Sequence, residues 1–561
     1  MMTRRFPGRS IRKLVYPPNQ LNKEYYKIFR DVEAGVKVPP YMIQILLPFN
    51  CYMRCVFCGN RIFRNCKKRG YSSELEFIYK VYFDEFSLPV PDMTEIVSFL
   101  KNDLEEVSRM ARRENVHDSV LQAIDSMGAA TDVISVVSLP YRFLAENRDR
   151  VAGCTLRQHM LVATYIAKTF AGIIVREGIN YQLDLEHYLG VIHEAAEMGS
   201  RVLSLGGFND MFTSPEYLDP IMKATKAAGL YGVLHTSGYV LDEELIHSMV
   251  ECGWDEIDLS IHCVEPKTAR SLRGPSDYFE KLDMFLERVE ENKRMTGRDT
   301  PIINGVFVLN KMNYQEALPM IPWAKSHGIG RMHFSPMWLY STGASKIRMT
   351  GREVARFKKL IRKNMGNLSG LDISHNLAEL LEFSSMHVST VLTDPPALEE
   401  MLREFETHGS GEGSPVHARD SGPLDNVCCP APWLQVAIEN RGGPKLCMNH
   451  LMSPFHSNLT THSLREIWYG DEYRLARQDF LQGRLPIECS RYCGSYPSFY
   501  IKKLLREYQD LKTVMEHTSQ LPESLRGLLS HLGRAMEGRL QRSGLLRLAL
   551  LKAGFRITEP W

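Results

Sequence analysis

Between residues 183 and 340 the chain repeats one rhythm five times: a helix-patterned segment, then a short apolar run. The periodicity predicts helices at Asp184–Met198, 215–228, 242–252, 276–296 and 314–327. They lead to strands at Arg201–Leu205, Tyr231–His235, Glu256–Ile261, Ile302–Val308 and Arg331–Ser335. A strand reached through a helical crossover pairs parallel to the one before it, because the helix carries the chain back to its starting end. A sixth strand-like run, residues 42–49, lies upstream. The expected fold class is therefore α/β with a parallel sheet. Six strands suit a partial barrel, and a doubly wound sheet uses similar units.

The upstream strand runs directly into Phe49-Asn50-Cys51-Tyr52-Met53-Arg54-Cys55-Val56-Phe57-Cys58. Three thiols in a C-x3-C-x2-C loop leave an iron–sulfur cube one ligand short, since a [4Fe–4S] cluster normally takes four thiolates. The open iron can then bind a small molecule through N and O atoms. Zinc is the alternative, with Cys66 or a distant histidine as fourth ligand, although structural zinc favours C-x2-C pairs.

This loop, with its aromatic Phe57 before the last cysteine, resembles the signature of the radical S-adenosylmethionine (SAM) superfamily. The resemblance covers about 42–60 and 183–340. It implies a partial (β/α)6 barrel and a cluster held by Cys51, Cys55 and Cys58, with SAM as exchangeable fourth ligand. It further implies reductive cleavage of SAM to a 5′-deoxyadenosyl radical that abstracts hydrogen from a substrate C–H bond. An electron donor such as flavodoxin or ferredoxin is implied as partner.

The family's second strand ends in a Gly-rich turn that meets the SAM amino group. The matching turn here is Gly206-Gly207-Phe208-Asn209-Asp210. Phe208 stands where the family has glutamate, so Asn209 or Asp210 would substitute. His235-Thr236-Ser237-Gly238 looks like the family's Thr-Asn-Gly turn. Ser260, with downstream Arg273, resembles the region that contacts SAM ribose or carboxylate. The alternative for Arg273 is a solvated charge at a helix end. Val308-Leu309-Asn310 and Ser335-Pro336-Met337 end the fifth and sixth strands and are candidates to line the adenine or substrate pocket.

A second cysteine group follows: Cys428-Cys429-Pro430-Ala431-Pro432-Trp433, Gly442-Gly443-Pro444-Lys445-Leu446-Cys447, Ile467-Trp468, and Cys489-x3-Cys493. It resembles the SPASM and twitch domains of many radical SAM enzymes. It implies one auxiliary [4Fe–4S] cluster on Cys429, Cys447, Cys489 and Cys493, with Cys428 as rival first ligand. A zinc site on the same four thiols is the alternative. Cys252 and Cys263 flank a strand and read as buried apolar residues.

The organisation expected is an N-terminal extension, 1–40; the barrel, 41–60 and 183–345; a helical insertion or lid, 61–182; and a connecting segment, 346–425, with a Gly/Ser linker at 407–415. A small cysteine-rich α+β domain, 426–500, and a helical tail, 501–561, complete it. The 12 cysteines cluster as metal ligands rather than as a disulfide framework, which points to a reducing cytoplasm. Net charge is +2, so no global field indicates nucleic acid, and no stretch reaches a membrane span. The reading favoured is a radical SAM enzyme of peptide or natural-product maturation. The rivals are a sugar or aminoglycoside dehydrogenase, dehydratase or epimerase, and a non-catalytic zinc scaffold.

Overall fold

The structure is a computed structural model. It describes residues 23–47, 51–58, 183–207, 209–339, 344, 346–369, 373–383, 385–389, 424, 427, 429–440, 442–448, 457–481, 504–509 and 512. The helical insertion, the 407–415 linker and the helical tail beyond 512 lie outside them, as do Cys66, Cys154, Cys428, Cys489, Cys493 and Phe208.

Six parallel strands form the centre, in the order of the sequence: β1 Met42–Ile45, β2 Val202–Leu205, β3 Tyr231–Thr236, β4 Glu256–Ser260, β5 Ile302–Leu309 and β6 Arg331–Leu339. Each pairs with the next, from Met42 opposite Val202 through to Leu309 opposite Pro336. The helices between them are α2 Leu185–Met198, α3 Pro215–Ala227, α4 Glu243–Glu251, α5 Pro266–Arg273, α6 Tyr278–Thr296 and α7 Ala317–Ser326; α1, Lys23–Glu33, precedes β1. The strands and helices thus fall where the periodicity placed them, within a few residues at each end. Their boundaries follow local chemistry. Asp184 caps α2 through the His187 N–H, and Asp242 caps α4 through the Leu245 N–H. Gly199 and Gly297 end α2 and α6 in the left-handed region. The helix α5 was not anticipated, because its eight residues carry little apolar periodicity.

Two features extend this sheet. Beyond β6, a helix α8, Gly351–Ser369, precedes β7, Ser374–His375, and β8, His387–Ser389, both of which pair with β6. Part of the connecting segment, 346–425, is therefore sheet. At the opposite edge, β9, Gln435–Ile438, lies parallel to β1, and β10, Pro444–Lys445, pairs antiparallel to β9. The C-terminal cysteine region thus joins the first strand of the main sheet. Two short helices, α9 Leu464–Tyr469 and α10 Asp471–Leu481, follow.

The sheet has two unlike faces. Register partners in a parallel sheet share a face, and residues alternate between faces. One face carries Ile43, Leu203, Leu234, Ile257, Ile303, Phe307 and Phe334, all buried. Gly232 leaves room on it for Trp254, whose ring atoms lie 2.5 Å from where a Cβ would stand. Each of these buried large side chains contributes about 1.5–3 kcal/mol of hydrophobic stabilisation. Among the described residues no helix is long and apolar enough to cross a membrane.

Candidate active site

The cysteine loop leaves β1 at the carboxyl end of the sheet, where ligands of parallel βα arrays bind. Its departure is fixed by several bonds. The Leu46 N–H donates to the Ile438 carbonyl, while Tyr188 Oη and Asn209 Nδ2 donate to the Leu46 and Leu47 carbonyls at 3.3 and 3.0 Å. The loop then docks on the end of α5. The Arg54 and Val56 N–H groups donate to the Arg273 and Leu272 carbonyls at 2.7 and 2.9 Å. These carbonyls would otherwise lack intrahelical partners, so the helix end and the loop satisfy each other. Gly274 permits this approach: its φ is +103°, and an added Cβ would stand 2.8 Å from Arg54 Cβ. Phe57 packs edge-on against His262, with ring centroids 5.1 Å apart.

Cys51, Cys55 and Cys58 form no disulfide and are partly buried. Burial, and then Asp210 and the other two thiols, push the Cys51 thiol well above its ordinary range. Metal binding there must displace protons. Among the described residues no three His, Cys, Asp or Glu side chains converge on a single ion. A cubane takes one thiolate per iron, so its ligands are spread over the cluster. The three thiols on one loop fit that group by number and kind.

Arg273 is not a solvated charge. It is 1% exposed, its Nη1 donates to the Ser260 carbonyl and, at 3.0 Å, to Tyr278 Oη, and its guanidinium lies 4.2 Å from the Tyr278 ring centroid. Burial alone would lower its pKa; Tyr278, Cys55, Cys263 and Cys51 outweigh that and raise it. A fixed cation therefore stands beside the thiol loop and β4. Ser260 ends β4 half-buried at the same rim. Cys263 is buried, as expected, and its thiol is pushed up to about 12 by burial; Cys252 is half-buried.

The turn after β2 is built around two close approaches. Gly206 has no room for a side chain: a Cβ would meet His235 Cδ2 at 2.6 Å and Met448 Cε at 3.1 Å. Gly207 has φ +146° and is exposed. Asp210 is buried and accepts from Thr236 Oγ1 at 2.6 Å, from Phe212 N–H at 3.3 Å, and from Ser237 through both N–H and Oγ. It ties the β2 turn to the β3 turn. Asn209 and Asp210, the substitutes expected at this turn, thus both hold neighbouring segments of the rim.

In the C-terminal group, Cys429 is half-buried and Cys447 buried. Cys447 follows β10, which Tyr473 Oη fixes by donating to the Lys445 carbonyl at 2.9 Å. Trp468 is fully buried and donates to the Val38 carbonyl at 2.8 Å, and Arg477 lies 4.3 Å over its ring.

Reading the strand ends alone missed the other face of the sheet. Gln44 is opposite Ser204; His235, Asp258 and Asn304 lie on successive strands in register; Asn304 is opposite Arg331, and Val306 opposite His333. Gln44, Ser204, Glu256, Asp258, Asn304, Arg331 and His333 are all buried. Ser204 Oγ lies 3.2 Å from His235 Nε2, and His235 Nδ1 3.6 Å from Asp258 Oδ2. Burial holds the His235 pKa down. Glu256 is pushed well up by burial and then by Asp258, and it accepts from Tyr231 Oη at 2.9 Å and from Asn304 Nδ2. The legible signal was alternation: Glu-Ile-Asp-Leu-Ser and Arg-Met-His-Phe-Ser place a polar residue at every second position.

No family model matches the chain. It is similar to a probable GTP 3′,8-cyclase of Saccharolobus solfataricus, 27% identical over 197 residues, which cover 33% of this chain and 60% of that protein. It is also similar to a PqqA peptide cyclase of Rhizobium meliloti, 33% identical over 100 residues, 18% of this chain and 26% of that one. Among solved structures, Streptococcus suis SuiB bound to precursor peptide SuiA gives a TM-score of 0.35 at 14% identity, covering 52% and 59% of the two chains. That likeness is too loose to carry a conclusion. The chain spans less than two thirds of the length of each of these relatives.

Proposed function

We propose that this chain, a relative of radical SAM enzymes, is itself one and acts on a peptide. The observation that carries the reading is the three-thiol loop, without disulfides and docked on α5 at the carboxyl mouth of a parallel sheet ordered β1 to β6. Cys51, Cys55 and Cys58 would hold a [4Fe–4S] cluster, and SAM would complete it. When bound, that pair supplies a 5′-deoxyadenosyl radical able to take hydrogen from an unactivated C–H bond.

The chain's own residues orient and enclose. Arg273 offsets the negative charge that three thiolates bring to the loop, from a site where water screens it little. Its backbone carbonyl also anchors the loop. Gly207, exposed at the turn, gives a rim that ligand amino groups can approach closely, and Gly206 packs beneath it against His235. Ser260, at the end of the strand that Arg273 braces, faces the same mouth, and Asn209 keeps the turn beside the exit of β1. The sheet would be the partial (β/α)6 barrel of such enzymes. Cys429 and Cys447, with Cys489 and Cys493, would close an auxiliary [4Fe–4S] cluster. The peptide reading is supported by the similarity to PqqA peptide cyclase.

The test is anaerobic reconstitution with iron and sulfide, reduction, and quantification of 5′-deoxyadenosine from SAM. Wild-type protein is expected to be brown and to cleave SAM, and Cys55→Ala to lose cleavage completely. Cleavage surviving in reconstituted Cys55→Ala protein would overturn the assignment, and a colourless zinc protein would favour the scaffold reading.

A further inference from the structure

The polar face described above holds buried polar atoms, most of them acceptors, that no protein group satisfies. Both side-chain amide atoms of Gln44, both carboxylate oxygens of Asp258 and Asn304 Oδ1 are buried without a hydrogen-bond partner. Gln44 is 0%, Asp258 1% and Asn304 2% exposed. Register sets Asp258 beside Asn304 on the face that Gln44 and Ser204 share. A buried polar group left unpaired costs about 1–3 kcal/mol, and a carboxylate more. Three such side chains on one face point to a ligand whose donors complete them.

The balance of charge and of donors says which ligand. The central strands bring Arg331, Asp258 and Glu256, whose carboxyl pKa burial pushes well up, to this face. Glu256 spends both its oxygens on Tyr231 and Asn304. The basic neighbour of Asp258 is His235, at 3.6 Å, which burial keeps neutral. What remains is the Asp258 carboxyl group, with the amide oxygens of Gln44 and Asn304 on the same face.

We propose that this floor receives a cationic group of the substrate, an ammonium or guanidinium, with Asp258 as counter-ion and the Gln44 and Asn304 amide oxygens as further acceptors. Asp258 lies two residues before Ser260, so the floor is one strand layer, about 6.6 Å, beneath the rim. A substrate anchored there by its cation would present its neighbouring carbons to the mouth above. This rests on the enzyme reading and adds to it a charge class of substrate.

The experiment compares ethylguanidinium with its neutral counterpart ethylurea by calorimetric titration of the anaerobically reconstituted full chain at fixed ionic strength. SAM cleavage is measured on the same preparation. Wild type is expected to prefer the cation by about tenfold or more, the scale of one charge-assisted hydrogen bond. Asp258→Asn is expected to abolish that preference. Gln44→Met is expected to weaken binding of the cation while preserving the preference, which keeps the test decisive should Asp258→Asn fail to fold. Equal binding of both probes, binding of neither, or a preference surviving in Asp258→Asn would overturn the proposal and make the floor a hydrated structural network. If SAM is cleaved without a preference, this inference alone falls. A preference without SAM cleavage leaves the site standing and removes the enzyme reading.

Discussion

Gly274 offers the sharpest separation of a local backbone requirement from a requirement of the site. It ends α5 at φ +103° and ψ −56°, outside the regions that L side chains favour, and a Cβ there would stand 2.8 Å from Arg54 Cβ. Gly274→Ala therefore meets two penalties. The backbone conformation costs about 1–3 kcal/mol for a residue with a side chain. The overlap with Arg54 adds about 1–3 kcal/mol of overpacking unless the loop moves. Movement breaks the bonds from the Arg54 and Val56 N–H groups to the Arg273 and Leu272 carbonyls, which set the loop carrying all three thiols. Gly229→Ala is the control: its φ is +74°, nothing lies within 4 Å of a Cβ there, and it sits at the far end of α3. It should cost only the left-handed penalty, about 1–2 kcal/mol. Urea midpoints and iron and sulfide per chain after anaerobic reconstitution measure both effects. Gly274→Ala is expected to be the less stable variant, with iron content reduced against wild type and Gly229→Ala unchanged in iron. If the two variants match in midpoint and iron, the docking of the loop on α5 does not control the site.

Two other perturbations test parts of the same rim and floor. Asp210→Ala strips the acceptor from Thr236 Oγ1, Phe212 N–H and both Ser237 donors, all buried or partly buried; a loss of about 2–4 kcal/mol in urea unfolding is expected, and a change below about 0.5 kcal/mol, within the scatter of surface substitutions, would refute it. His333 is held neutral by burial and by Arg331, its pKa lowered to about 3. The unfolded chain takes up a proton at His333 below about pH 6.5 and the folded chain does not, so this stability is full above that pH and falls as pH drops from 6.5 toward 3. Between pH 7 and pH 5 the expected loss from this residue is about 2 kcal/mol, and His333→Gln should remove it from the pH dependence of the urea midpoint.

The fold was legible where local chemistry and global packing agree. Apolar runs separated by helices with Asp184 or Asp242 at their starts and Gly199 or Gly297 at their ends specify βα units with little ambiguity. Helix α5 was not legible, because its burial depends on the cysteine loop and β4 rather than on a periodic apolar stripe. The same cause misled the alternative reading of Arg273: its Pro-Lys-Thr-Ala-Arg-Ser-Leu-Arg context reads as solvated, but the guanidinium is buried against the Ser260 carbonyl and Tyr278. Likewise β9 carries an ordinary strand signal, but its place beside β1 is a pairing across nearly 400 residues that no local pattern encodes.

The cysteine loop stood out in the sequence by its spacing, whereas the polar face of the sheet was hidden by a rule applied too simply. Parallel strands covered on both sides read as near-continuous apolar runs, so the strands were located by their apolar content. Yet β4 and β6 alternate strictly, with Ile257, Leu259, Met332 and Phe334 on one face and Glu256, Asp258, Arg331 and His333 on the other. In an antiparallel sheet that alternation means one face in water. In a parallel sheet it cannot mean water alone when all eight of these residues are buried. A polar face closed off from bulk solvent must be satisfied by itself, by ordered water or by a ligand. Alternating polarity inside strands already assigned to a parallel sheet is thus a signal for an enclosed polar layer, and here it marks Asp258 as the residue on which the proposed cation preference can be tested.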